Sequence, residues 1–217
     1  MKKAFSLIEV VFAIVVIAIS LMSVPMLLKQ SSSSDEASII QESVLASSTK
    51  IGNILSFPWD SASFDTTNKV LRVLDVTSGD SELNRVSTLN DGNGRIGHIY
   101  ADKRRRFFDT PKNPSASITT MDSISYFHNK TATIGASGAY DYKDSGITMA
   151  SKVFYIGDSS TYSNKNINFT ISTTPVTNST NIKMIELNTT SPLLGRSFIL
   201  RTFSCNIGQS GLLERTY

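Results

Sequence analysis

Several things are scarce in this chain of 217 residues. There is one cysteine, Cys205, so no disulfide closes within it. Set in the apolar pattern from Phe198 to Cys205, that thiol reads as a buried, inert group. There are two histidines, His98 and His128, each within or beside an expected strand and each read as a partly exposed strand residue. No Gly-x-Ser-x-Gly elbow, phosphate loop, paired-cysteine zinc site or His-Glu-x-x-His motif occurs. Catalysis is not expected, nor is a cofactor. Charge is scarce too, at 18% of residues and a net +3. The most consequential gap is local: from Val10 to Leu28, no ionisable side chain appears for 19 residues.

That gap defines the first feature that is present. As a helix it is about 28 Å long at roughly 1.5 Å per residue, close to the roughly 30 Å of a bilayer's hydrocarbon core. Lys2 and Lys3 precede it, which places the amino terminus on the cytoplasmic side by the positive-inside tendency. A secretory signal would have an apolar core of about 7–15 residues and an A-x-A-like site, and neither is found. A plain anchor fits the length but leaves Glu9 unexplained, because a lone carboxylate at such a place costs roughly 2.5–3.5 kcal/mol.

Lys2-Lys3-Ala4-Phe5-Ser6-Leu7-Ile8-Glu9-Val10 resembles the class III signal of type IV prepilins and pseudopilins. The resemblance implies cleavage between Ala4 and Phe5 and methylation of the new amino terminus on Phe5. Ala4 stands where that family usually has glycine. Glu9 then becomes the fifth residue of the mature chain, free to pair with the α-amine of a neighbouring subunit. Pro25 falls where many such pilins carry a helix-disturbing proline, and a kink or melted turn is expected there. The resemblance further implies sibling subunits, a prepilin peptidase, an inner-membrane assembly platform and a cytoplasmic assembly ATPase as partners. It implies residence in the inner membrane, single-pass with the amino terminus cytoplasmic, and then in an extracytoplasmic filament. The length favours a minor subunit of a pilus or type II secretion filament. Loss of Lys2 and Lys3 leaves 19 basic against 18 acidic side chains, so the mature chain is nearly neutral. The alternative is a membrane-anchored extracytoplasmic binding module that does not polymerise.

The expected domains follow: 1–4 leader, 5–28 transmembrane and assembly helix, 29–56 amphipathic half of that helix, and 57–217 a β-rich globular domain. Ser31 to Ser34 read as a linker that marks a soft point between the helix halves, or equally as a solvated helix turn or an N-cap region followed by acids in a first turn. In the second half Ile40, Val44, Ile51, Ile54 and Leu55 recur at helical spacing, with Ile39 and Leu45 widening the stripe. Phe57-Pro58-Trp59 stops the helix, since the residue before proline is pushed out of the α region, and Trp59 is read as core. Beyond, short apolar runs alternate with turn residues. Strands are expected over Lys69–Val76, Arg95–Tyr100, Ser123–Phe127, Lys152–Ile156, Ile167–Ser172, Ile182–Leu187 and Ser197–Ser204. The fold class is α+β: a long amino-terminal helix whose second half packs on an antiparallel sheet, the general pilin plan.

Three segments are candidate sites. Asn90-Asp91-Gly92-Asn93-Gly94 is oxygen-rich, making Asp91 and Asn93 calcium candidates, but it lacks the spacing of a calcium loop and reads first as a tight turn. Lys103-Arg104-Arg105-Arg106 with Phe107-Phe108 is the one concentrated charge, and reads either as a solvated loop or as a contact patch. As a contact, a subunit face ranks ahead of single-stranded nucleic acid. Glu186-Leu187-Asn188-Thr189-Thr190 carries an Asn-x-Thr glycosylation pattern at Asn188, for which a strand end followed by a turn is a sufficient explanation.

Overall fold

The structure, a computed structural model, describes residues 6–89, 92–96, 105–115, 117–135, 146–162, 164–192 and 195–209. It begins with helix α1, Leu7–Leu55, 49 residues long, entered from an extended Ser6 and closed at Ser56. The Ser56 hydroxyl donates to the Asn53 carbonyl at 2.6 Å, satisfying one orphan acceptor of the last turn. Phe57-Pro58 follows at once, so the expected stop holds.

At Pro25 the melted turn is not found, and of the readings open at Ser31–Ser34 the solvated helix turn is the one present. The helix is unbroken through Pro25 and through Ser31–Ser34, with no melted turn and no interruption. One proline deletes a single N–H, and the flanking ladder carries the helix past it. Ser38 folds its hydroxyl onto the Ser34 carbonyl at 3.0 Å, so this serine-rich turn satisfies its own polar groups.

The buried stripe is only in part the apolar one: Ile39, Ile40, Ile51 and Ile54 turn inward, and serines fill the positions between. Ser43 and Ser47 are fully buried, whereas Leu45 is 70% exposed and Val44 and Leu55 are exposed. Small side chains bring the helix backbone close to the sheet. Ser47 Oγ lies 2.8 Å from Thr189 Oγ1 and also donates to the Ser43 carbonyl. Ala46 and Ile51 pack against Ile147, Met149 and Leu187. Ile54 enters the main core with Trp59, Leu74, Ile124, Phe127, Val153 and Ile185, as its place in the stripe implied.

After α1 come a two-residue hairpin, β1 (Phe64–Asp65) with β2 (Val70–Leu71), and then a four-stranded antiparallel sheet. Its strands are β3 (Lys130–Ile134), β4 (Ile147–Ile156), β5 (Ile182–Thr190) and β6 (Ser197–Cys205), paired in chain order. Val153 pairs with Ile185 and Ile185 with Thr202, which fixes the register. Odd-numbered residues of β4 and β5 face α1; on the other side Phe154, Ile156, Ile182 and Met184 form a second cluster with Phe169 and Cys205. Arg196, before β6, pairs with Glu36 of α1 at 2.9 Å.

The chain is thus α+β, a long apolar amino-terminal helix against an antiparallel sheet, an arrangement compatible with a pilin-like fold. Of the expected strands, Lys152–Ile156, Ile182–Leu187 and Ser197–Ser204 lie within β4, β5 and β6. Lys69–Val76 shrinks to β2 plus a bridge from Val73 to Phe107. Ser123–Phe127 is instead a 3-10 turn over Ile124–Phe127. Ile167–Ser172 forms no strand: Phe169 packs inward, Ile167 and Ile171 stay exposed, and no neighbouring strand pairs with it. Alternation marks an extended segment, but a ladder needs a partner. Arg95 and Ile96 are not in a strand, and 97–100, His98 included, lie outside the described residues.

Candidate functional site

The amino-terminal half of α1 buries nothing. Leu7 is 83% exposed and Met22 82%, and every large apolar side chain from Leu7 to Leu28 is exposed. Among the described residues, α1 is the one helix long and apolar enough to cross a membrane. Its few polar groups are satisfied internally: Ser20 Oγ donates to the Val16 carbonyl at 2.8 Å, and Ser23 Oγ to the Ser20 carbonyl at 2.9 Å. In lipid a free hydroxyl would cost several kcal/mol, so this bonding suits an apolar medium. Glu9 lies in the first turn, where the helix dipole favours an acid. It has no ion-pair partner within the chain among the described residues. Ala4 and Phe5 lie outside the described residues.

The candidates in the globular part separate. Lys103, Arg104 and Asp91 lie outside the described residues. Arg106 pairs with Asp109 at 2.8 Å. Phe107 is 1% exposed, with the guanidinium groups of Arg85 and Arg95 over its ring at 4.6 and 5.0 Å. Phe108 is half-buried against the core, with Lys112 Nζ 4.4 Å over its ring. The aromatic part of the expected contact patch is therefore interior, and of its described residues only Arg105 is exposed. Adjacency of bases and aromatics in sequence reads as a solvated loop or a contact patch; the fold turns the two aromatics inward instead.

Asn93 is likewise withdrawn as a calcium ligand. It is buried, its Oδ1 accepting from Arg85 Nη1 at 2.6 Å and its Nδ2 donating to Asp109 at 2.9 Å. Among the described residues no group of three or more His, Cys, Asp or Glu side chains is placed to hold a metal ion. Gly92 has φ +84°, as a tight turn at that segment requires. Asn188 sits inside β5, paired with Ala150 and Ile199 and half-buried, not at a strand end. Cys205 is half-buried, and burial, then the charge of Asp158, pushes its thiol up and away from the reactive thiolate.

The polar centre that sequence reading missed is Lys183. It is 2% exposed, and its ammonium donates to Asp60 Oδ2 at 2.9 Å, the Trp59 carbonyl at 2.8 Å and Ser125 Oγ at 2.8 Å. It lies 4.2 Å over the Trp59 ring and 5.1 Å from that of Tyr155. Burial pulls its pKa down, opposed by Asp60. A Ser–Lys dyad needs a neutral amine to take the serine proton. Here all three donors are engaged, one by a buried carboxylate, so Lys183 is a structural ammonium. His128 accepts the Val153 N–H on Nδ1 at 3.2 Å, which leaves its proton on Nε2. It serves as a cap on β4 where β3 has ended.

No protein-family model matches the chain, and neither does any curated protein or solved structure.

Proposed function

We propose that the chain is a structural subunit of an extracytoplasmic filament, a minor pilin or pseudopilin of a type IV pilus or type II secretion filament. The observation that carries this reading is the first half of α1: an exposed apolar helix, with one acid at its start, continuous with a helix that packs on a sheet. Such a surface needs lipid before assembly and other subunits afterwards. Glu9 links the two states. In the bilayer its charge is a cost of a few kcal/mol; in the filament the α-amine of Phe5 from a neighbour neutralises it. The same pairing selects the axial register, because a buried carboxylate left without its partner is penalised by several kcal/mol.

The partners of this reading are a prepilin peptidase cutting between Ala4 and Phe5, an inner-membrane assembly platform and sibling subunits. Intact-mass and amino-terminal analysis of the membrane-extracted protein tests it. A mature chain beginning with methylated Phe5 is the expected result. Retained Met1 would instead make the chain an anchored binding module that does not polymerise.

A further inference from the structure

Strand β6 forms one edge of the main sheet, paired with β5 from Ser197 to Cys205. Just past its end, the Asn206 N–H donates to the Asn181 carbonyl at 2.8 Å, continuing the same register. In an antiparallel ladder, residues that bond their opposite alternate with residues whose N–H and C=O point away. The Asn206–Asn181 bond turns the even-numbered residues of β6 toward β5. Ile199, Arg201 and Phe203 therefore present their backbone N–H and C=O groups outward. Among the described residues nothing bonds to those six groups.

The opposite edge is β3, only five residues long and carrying Lys130. Where β3 stops, His128 takes the Val153 N–H and the Val176 N–H bonds to Tyr155 O at 2.9 Å, so β4 is covered. Edges are normally protected by proline, charged side chains, a bulge, shortness or a covering segment. β6 has nine residues, no proline and a single charged side chain, Arg201, and its pairing with β5 is unbroken. Ile199 and Phe203 share the face turned away from α1, each 45% exposed. Between them Arg201 bonds Glu186 Oε2 through Nε at 2.8 Å. Its two Nη groups have no partner among the described residues. At the Phe203 end the edge opens into a groove of about 350 Å³ bounded by Phe57, Trp59, Leu71, Phe203 and Ile207.

We propose that β6 is a strand-addition site for an extended segment of a partner protein. That segment carries an acid opposite Arg201, apolar side chains opposite Ile199 and Phe203, and an apolar side chain running on into the groove. Main-chain bonds supply affinity in this mode of recognition, and alternate side chains supply specificity. The acid extends the Glu186–Arg201 pair into a three-member ladder. A second copy's β6 is the wrong occupant: pairing antiparallel about Arg201 sets two arginines opposite each other, and like charges there are destabilising. The site does not rest on the filament reading.

Hydrogen exchange on the full-length protein in detergent micelles tests this, with a short synthetic peptide of the pattern Val-Thr-Glu-Thr-Val as probe and its Glu→Lys form as control. Without peptide, the amides of Ile199, Arg201 and Phe203 exchange faster than those of Leu200 and Thr202. The Glu peptide slows the three outward amides by about tenfold at about nine times its Kd, and the Lys peptide does not. Arg201→Pro deletes an outward donor on an edge, where proline is tolerated, and abolishes this protection. Arg201→Gln retains the strand and weakens binding. Three results overturn the proposal: outward amides already protected in the protein alone, equal protection by both peptides, or none at millimolar peptide.

Discussion

Lys183 and Asp60 stand 123 positions apart in the chain and meet in its interior at 2.9 Å. Neither residue carries a local signal, since a lysine in a strand pattern and an aspartate after a tryptophan both read as surface. That is why the centre of the globular part was not legible. Removing one partner of a buried pair leaves an uncompensated charge. Lys183→Met is therefore expected to cost about 3–5 kcal/mol in denaturant unfolding of the detergent-solubilised protein. Adding Asp60→Asn should restore part of it, because the amide drops the charge while its oxygen still accepts from Ala62 N and Ser115 N. A double variant no more stable than the single one would mean that charge is not the issue. Asp65 gives a second test at this scale. Burial works to raise its pKa, but bonds from Asn68, Arg72 and Thr67 outweigh it and hold the carboxyl at about 2, against an ordinary 3.8. The unfolded chain binds the proton more readily, so this stabilisation is present above about pH 4 and is lost as pH falls towards 2. Thermal melts of wild type and Asp65→Asn should differ at pH 7 and converge near pH 2.

The second half of α1 shows how an element can be read correctly in kind and only partly in face. Its length, its stop at Phe57-Pro58 and Ile54 as a core residue were all legible from spacing and from proline chemistry. The serines of the packed stripe were not, because close approach to Thr189 rewards small side chains, and serine counts as polar in any hydrophobic pattern. Two substitutions separate the readings. Ser47→Leu should overpack the contact with β5 and destabilise by about 1–3 kcal/mol. Leu45→Ser, at a 70% exposed position, should stay within about 0.5 kcal/mol. The reverse ranking in unfolding midpoints would restore the apolar stripe. Among the strands, β4, β5 and β6 declared themselves in part through alternation and branched residues. β3, Lys130-Thr-Ala-Thr-Ile, did not, because an edge strand with one face in water needs little hydrophobicity. Ser123–Phe127 has the composition of a strand but spans only a turn of 3-10 helix, a distinction that five residues of pattern do not make.

At the scale of the molecule, α1 joins two parts with opposite solvent needs. Everything that packs on the sheet begins near Ile39 and Ile40, the first half-buried residues of the helix, while the Leu7–Leu28 segment touches nothing in the globular part. The two halves should therefore be separable. A chain starting after Lys29 is expected to be soluble without detergent and to melt within a few degrees of the full protein. A large drop in its midpoint would show that the apolar half holds the fold. Glu9 then distinguishes an anchor from an assembly helix. Glu9→Leu removes a charge that an anchor only suffers from, so membrane insertion should persist or improve. If the acid exists to meet a neighbour's amine, the same change should remove the chain from sheared filaments while leaving its membrane level intact. Fractionation with immunoblotting reads both quantities from one culture. An unchanged filament fraction would leave the acid without a purpose and the assembly reading without its reason, since the apolar run alone needs only a bilayer.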